Sequence, residues 1–230
     1  MSESPDDARD ELRRTLEMAT ARVELEQTLG AQVFPYEEIH VSKAEQLEEL
    51  RQQCLQCTRC PLHRTRTNLV FGEGSPDAEL MFVGEAPGYH EDQQGTPFVG
   101  AAGELLTKII KAIDRERSDV YIGNVLKDRP PDNRDPQPQE VASCLPYLIR
   151  QIQIIQPKVI VTLGRFAAQA LLNTTTGITR LRGQFHECHG AKLMPTYHPA
   201  YLLRDERAKR PCWEDMKKVR DELNRVKDAQ

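Results

Sequence analysis

From about residue 72 the chain alternates short apolar runs with turn residues. "ELMFVGEAPG", "DVYIGNV", "PKVIVTLG" and "KLMPTYHP" each hold a few bulky or β-branched residues closed by Gly or Pro. Runs of this kind predict buried strands. Between them lie patterns of helical period. "AAGELLTKIIKAI" places Leu105, Leu106, Ile109, Ile110 and Ile113 on one face. "PQEVASCLPYLIRQIQII" and "RFAAQALL" are similar, as is "CWEDMKKVRDELNRV" further on. Strands alternating with helices predict a parallel sheet covered on both faces. Residues 1–50 have a different texture, rich in Glu, Arg and Gln with loosely helical apolar spacing. They read as an extension of one or two surface helices, interrupted near Pro35, ahead of a domain over residues 51–225. Their charge run is a solvated face.

Ligands of such sheets bind outside the C-terminal ends of the strands. The residues just after each apolar run are therefore the informative ones. They are "GEAPGYHEDQQGTPFVGAAG" after the first run, "NVLKDRPPDNRDP" after the second and "HPAYLLR" after the fourth. Two carboxylates (Glu85, Glu91), the Asn124 amide, the His198 imidazole and the Phe98 ring are predicted to converge on one crevice. The Gly and Pro residues let backbone approach a flat ligand closely.

The 230 residues suffice for one well-filled α/β domain or two small ones. The formal net charge of −4 argues against a protein that coats nucleic acid through bulk charge. A local basic face stays open. No apolar run approaches the ~20 residues of a membrane span. The segment "MSESPDDARDELRRTLEMA" has no apolar signal core, so a cytoplasmic protein without a membrane is expected. In a reducing compartment, six cysteines point to metal rather than to a disulfide framework. "CLQCTRC" sets Cys54, Cys57 and Cys60 at intervals of three.

The segments "GEAPGYHED", "GTPFVGAAGELL", "NVLKDRPPDNRDPQP" and "HPAYLLR", in this order, resemble the family-four uracil-DNA glycosylases, which carry an iron–sulfur cluster. The resemblance covers roughly residues 54–220. It implies a three-layer α/β/α sandwich around a four-stranded parallel sheet. The implied reaction is hydrolysis of the N-glycosidic bond of uracil in DNA, by a monomer, leaving an abasic site. Phe98 would stack on the base and Asn124 would read its edge. Ala86 and Pro87 would frame the turn that holds a uracil carbonyl. His198 would face the leaving base, and Glu85 or Glu91 would position water, with Glu85 nearer the strand end. Tyr89 would wall the C5 edge against thymine. DNA contacts would come from Lys127, Arg129 and Arg134 around the Pro-rich loop, and from Leu202, Leu203 and Arg204.

The family holds a [4Fe–4S] cluster with four cysteines. Cys57, Cys60 and Cys144 match three of them, while the remaining position is Asp128. Thiolates are the usual ligands of such clusters. Three arrangements follow: ligation by Asp128, substitution by the unmatched Cys54, or an incomplete cluster. Zinc on three cysteines and a carboxylate is a further option. Two other functions compete: a glycosylase for other deaminated bases, and a cluster-bearing DNA-binding protein without catalysis. A covalent uracil-trapping relative carries an insertion after "PFVG" that this chain lacks.

Overall fold

All five residues of Leu80–Gly84 are buried, as a strand covered on both faces requires. The structure is a computed structural model describing residues 41–227 continuously, with scattered positions between 14 and 28. Six strands are present among the described residues: β1 Glu73–Gly74, β2 Leu80–Gly84, β3 Tyr121–Asn124, β4 Val159–Leu163, β5 His186–Cys188 and β6 Ala191–Thr196. They lie in the order β1-β3-β2-β4-β6-β5. The central four, β3-β2-β4-β6, are parallel, while β1 and β5 are antiparallel edges. The expected four-stranded parallel sheet is therefore the core of a six-stranded mixed one. The added strands have two and three residues, too short to display a period of two.

The helices are α1 Lys43–Leu55, α2 Tyr89–Gln94, α3 Ala101–Ala112, α4 Pro138–Ile155, α5 Arg165–Leu172, α6 Ile178–Leu181, α7 Pro199–Arg204 and α8 Lys209–Lys227. Strand residues alternate between two cores. Met81, Val83, Ile160 and Leu193 pack with Leu47, Leu148, Ile152 and Ala167 of α1, α4 and α5. Leu80, Phe82, Val161 and Met194 pack with Leu106, Ile110, Met216 and Val219 of α3 and α8. This is the expected α/β/α sandwich. No helix among the described residues is long and apolar enough to cross a membrane.

The boundary expected after residue 50 falls inside α1. That helix starts at a capping box, in which Ser42 and Glu45 exchange side-chain and backbone hydrogen bonds. Its Leu47, Leu50 and Cys54 enter the first core. Lys43 also donates to the Ile155 carbonyl at the end of α4. The compact unit accordingly begins at Val41, and residues 1–40 form a separate unit. The helices expected in residues 1–40, and the break near Pro35, lie outside the described residues apart from isolated helical positions between Arg14 and Thr28.

One packing contact fixes the loop that enters the crevice. Phe98 sits in the left-handed region at φ 55. A Cβ on Gly103, in the first turn of α3, would stand 1.8 Å from the Phe98 carbonyl oxygen. Only a glycine at 103 lets α3 come this close to that turn. Gly103→Ala is expected to destabilise the fold by about 1–3 kcal/mol, the usual scale of overpacking, and to displace Phe98. Denaturant unfolding reads the first effect. An unchanged midpoint would refute the contact.

Candidate active site

The C-terminal ends of β2, β3 and β6 open onto a cleft of about 800 Å³. Glu85, Ala86, Pro87, Glu91, Phe98, Asn124, Arg134, His198 and Arg204 line it. The parallel pairing continues past the strand ends, with Val125 N–H donating to the Gly84 carbonyl and Leu126 N–H to that of Glu85, both at 3.0 Å. This holds Glu85 beside Asn124. Gly84 makes the approach possible, since a Cβ there would meet Asn124 Oδ1 at 2.3 Å and the Phe98 ring at 2.6 Å.

Asn124 is buried, and its Oδ1 has no hydrogen-bond partner in the protein. A buried acceptor of this kind costs free energy unless a ligand supplies the donor. Phe98 and His198 lie with ring centroids 5.7 Å apart and planes 29° apart. His198 caps α7, its Nδ1 accepting from Ala200 N–H at 3.1 Å. The neutral ring thus carries its proton on Nε2. Burial lowers the His198 pKa to about 4, the Arg204 charge adds to this, and Glu91 opposes it. Burial raises the Glu85 carboxyl to about 7, with Asp135 adding to the rise and Arg165 opposing it.

Glu91 has a different occupation from Glu85. Its carboxylate accepts from the N–H groups of Gly88 at 3.1 Å, Val99 at 3.0 Å and Gly100 at 3.3 Å. It ties the turn after β2 to the segment carrying Phe98. Because Pro87 has no N–H and that of Gly88 is taken, Ala86 is the donor the turn retains.

Three expectations need correction, those for Tyr89, Lys127 and Leu202. Tyr89 is exposed, stacks against Arg129 at 5.1 Å and does not line the cleft. Lys127 is not a DNA contact, because it is 1% exposed and its ammonium donates to the Asn124 carbonyl at 2.8 Å and Gln151 Oε1 at 2.7 Å. Leu202 is likewise a core residue of the second cluster, whereas neighbouring Leu203 is 48% exposed. Arg134 makes a two-pronged pair with buried Glu140, at 2.6 and 2.9 Å, which secures its loop. Arg204 is exposed at the rim and has no ion-pair partner among the described residues. Arg129 is partly exposed and donates to Asn133 Oδ1 at 2.7 Å.

Sequence reasoning passed over Arg165 and Asp135. They pair at 2.8 Å on the cleft wall and bear on the Glu85 charge in opposite senses. Arg165 follows the third apolar run directly, so the strand-end rule applied to "TLGRF" points to it.

Behind Ala86 lies a small buried cluster of Cys60, Leu62, Leu126 and Cys144. Cys54 and Cys57 adjoin it, close enough for Cys54 to feel the charges of Cys144, Cys57, Asp128 and Lys127. Backbone N–H groups of Arg59, Leu62 and Lys127 serve Cys57, Cys60 and Cys144 in turn. Burial raises the Cys54 thiol to about 12 and that of Cys144 to about 11. Thiolates there need a cationic centre. Among the described residues no three His, Cys, Asp or Glu side chains gather closely enough for a single metal ion. Sulfurs around a cluster of several irons stand farther apart than ligands of one ion, and the donor set suits such a cluster. Asp128 is occupied, its carboxylate taking Arg66 Nη1 at 3.0 and 3.4 Å.

The family model described as "Uracil DNA glycosylase superfamily" matches residues 71–217. The type-4 uracil-DNA glycosylase of Archaeoglobus fulgidus is 47% identical over 183 residues, spanning 76% of this chain and 92% of its own. That of Thermotoga maritima is 45% identical over 183 residues, spanning 78% of this chain and 95% of its own. The type-5 enzyme of Pyrobaculum aerophilum is 28% identical over 179 residues, spanning 64% and 79%. With this extent of match, joined to a cleft built from the same four motifs, the chain belongs to the type-4 uracil-DNA glycosylases of the uracil DNA glycosylase superfamily.

Proposed function

We propose that this chain excises uracil from DNA by hydrolysing its N-glycosidic bond, leaving an abasic site for repair. The observation that carries the reading is the buried, partnerless Asn124 Oδ1 beside Phe98 and His198. A base stacked in a duplex cannot reach this cleft, so the nucleotide is flipped out. Phe98 gives the base a face to stack on. Asn124 Oδ1 accepts from uracil N3–H while its amide nitrogen donates to O4. Cytosine presents the reverse pattern at both positions and leaves the buried amide unmatched. The first experiment is a gel assay of cleavage at uracil in DNA after alkali treatment. Absence of abasic sites under single-turnover conditions would reject the proposal.

The glycosidic bond breaks with charge building on uracil O2 and a cationic sugar. His198, neutral with Nε2–H available, donates to O2 as that charge develops. A single donor of this kind is worth about 3–4 kcal/mol elsewhere. Glu85, ionised, favours the cationic sugar and orients the attacking water. Glu91 is a positioning residue for the Phe98 loop. Leu203 wedges into the space the base has left, and Arg204 and Arg129 meet phosphates, which set register without reading sequence. Cys57, Cys60, Cys144 and a fourth ligand, Asp128 or Cys54, would hold an iron–sulfur cluster, tying the segment that follows α1 to α4 behind Ala86. Bound there, it would supply cross-linking rather than a reactive centre.

His198→Ala should slow single-turnover cleavage tens-fold or more, because the O2 charge exists only in the transition state. DNA affinity should change little in a binding titration, and undiminished cleavage would remove His198 from the mechanism. Asn124→Asp should weaken uracil cleavage, because an ionised carboxylate only accepts. Measured on uracil and cytosine substrates, it should also narrow the preference between them. Full activity on uracil opposite guanine would sink this assignment.

The pH dependence follows from Glu85. Its active form is ionised and its pKa is about 7. Single-turnover cleavage should therefore rise as pH climbs through about 7 and level off above. His198 adds no limb above about pH 5, since its pKa lies near 4. Glu85→Gln should lower the rate and abolish the rise. A flat wild-type profile from pH 5.5 to 8.5 would contradict the role.

A further inference from the structure

Resting on the cluster reading above, we propose that Cys54 is the fourth cluster ligand and that an Asp128–Arg66 ion pair closes the place where the family's pattern has a cysteine. Position 128 belongs to the same site, since Asp128 acts electrostatically on Cys54, Cys60 and Cys144. Its carboxylate, however, has a buried counter-ion. The Asp128 side chain is 6% exposed and that of Arg66 is 15% exposed. The other arm of the Arg66 guanidinium holds the Leu55 carbonyl, the residue next to Cys54. Turning Asp128 toward iron would strand this guanidinium without an anion, a costly outcome in a buried setting. The pair instead clamps the C-terminal end of α1 against the Asp128 loop.

That clamp brings Cys54 to the site. Cys54 lies in the last turn of α1 and is 2% exposed. Among the described residues it has no hydrogen bond of its own to a protein carbonyl, in contrast to Cys188, whose thiol donates to the Leu171 carbonyl. A second observation points to an anion on this side. The Lys127 ammonium is buried, yet its hydrogen-bond partners, the Asn124 carbonyl and Gln151 Oε1, are neutral. Burial lowers its pKa to about 8, and charge on the sulfurs of Cys54 and Cys144 is what opposes that fall. A buried cation needs a compensating charge. Four thiolates on a cluster would supply a net negative one, and Cys54 and Cys144 are the thiols that bear electrostatically on the ammonium. Asp128 cannot serve, because Arg66 already neutralises it. The ligand set has thus moved from the loop after β3 to the helix before the first cysteine pair, and all four sulfurs remain thiolates, the ligand class iron–sulfur clusters prefer.

The test is iron and acid-labile sulfide counting on the full chain purified without oxygen, with visible absorption and electron paramagnetic resonance as independent readouts. The wild type should hold about four irons per chain. Cys54→Ser should bleach the protein or leave three irons, and Asp128→Asn should keep four. The double variant Cys54→Ser/Asp128→Cys should regain the cluster, because it restores a thiolate at the position the family uses. Cys54→Ser with four irons and an unaltered spectrum would overturn the inference, as would loss of iron in Asp128→Asn. If Cys54→Ser is insoluble, Asp128→Asn and the double variant decide by the same outcomes. A wild-type protein free of iron rejects the cluster reading itself, and the inference falls with it.

Discussion

A single buried ammonium joins the two halves of this molecule. Lys127 sits between the end of β3 and α4, donating to the Asn124 carbonyl and to Gln151. Gln151 in turn donates to the Phe71 carbonyl and the Tyr121 hydroxyl. Removing a cation from water is costly unless its surroundings are polar and opposite in charge. On the side of Asn124 Lys127 finds only neutral oxygens; in the proposed reading the negative charge would come from cluster-bound thiolates. Lys127 thereby connects the Asn124 carbonyl to the neighbourhood of the cysteines. On the proposed reading a cluster would have a physical route to the pocket that needs no redox chemistry: it would supply charge beside Lys127, and Ala86 packs directly on the group of Cys60, Leu62, Leu126 and Cys144.

The pocket's other wall is tied together by the Glu91 carboxylate. Glu91 gathers three backbone N–H groups from two segments that are distant in the loop. Phe98 lies just before the second segment, with a left-handed backbone that a phenylalanine does not choose. The close seat on Gly103 and the Glu91 clamp together over-determine that conformation. The ring is thus set before substrate arrives, and little ordering remains for the base to impose. Two acidic residues of the same motif line the cleft, and Glu91 is the one whose carboxylate is taken up by the loop's backbone.

The central fold was legible because parallel strands buried on both faces read as apolar runs with turn residues after them. The same rule located Glu85, Asn124 and His198, since strand ends are where α/β sheets bind ligands. What escaped was whatever depends on a neighbour in space. β1 and β5 are shorter than any periodicity. Lys127 lies between Leu126 and Asp128 in a loop of charged residues, and nothing local separates a buried lysine from a solvated one. Leu202 and Leu203 are adjacent and chemically identical, yet only the helical phase of α7 decides that one enters the core and the other meets solvent. Glu85 and Glu91 could not be ranked because three backbone partners distinguish them, and backbone partners leave no mark in composition.

The electrostatics of the cleft follow from the same enclosure. Burial drives Glu85 upward and His198 downward, so each is moved toward its neutral form. In the mechanism proposed above this suits the histidine. A neutral imidazole holding its proton on Nε2 offers a fixed dipole to uracil O2 without placing a full cation beside an uncharged base. It therefore binds the ground state only weakly and the anion strongly, and that difference is what accelerates a reaction. In the same proposal neutrality hinders Glu85, which would face the sugar cation in ionised form. The Arg165–Asp135 pair bears directly on this balance. Burial is the main cause of the high Glu85 pKa; Asp135 adds to it and Arg165, its ion-pair partner on the cleft wall, favours the carboxylate, so the pair trims a balance that enclosure sets.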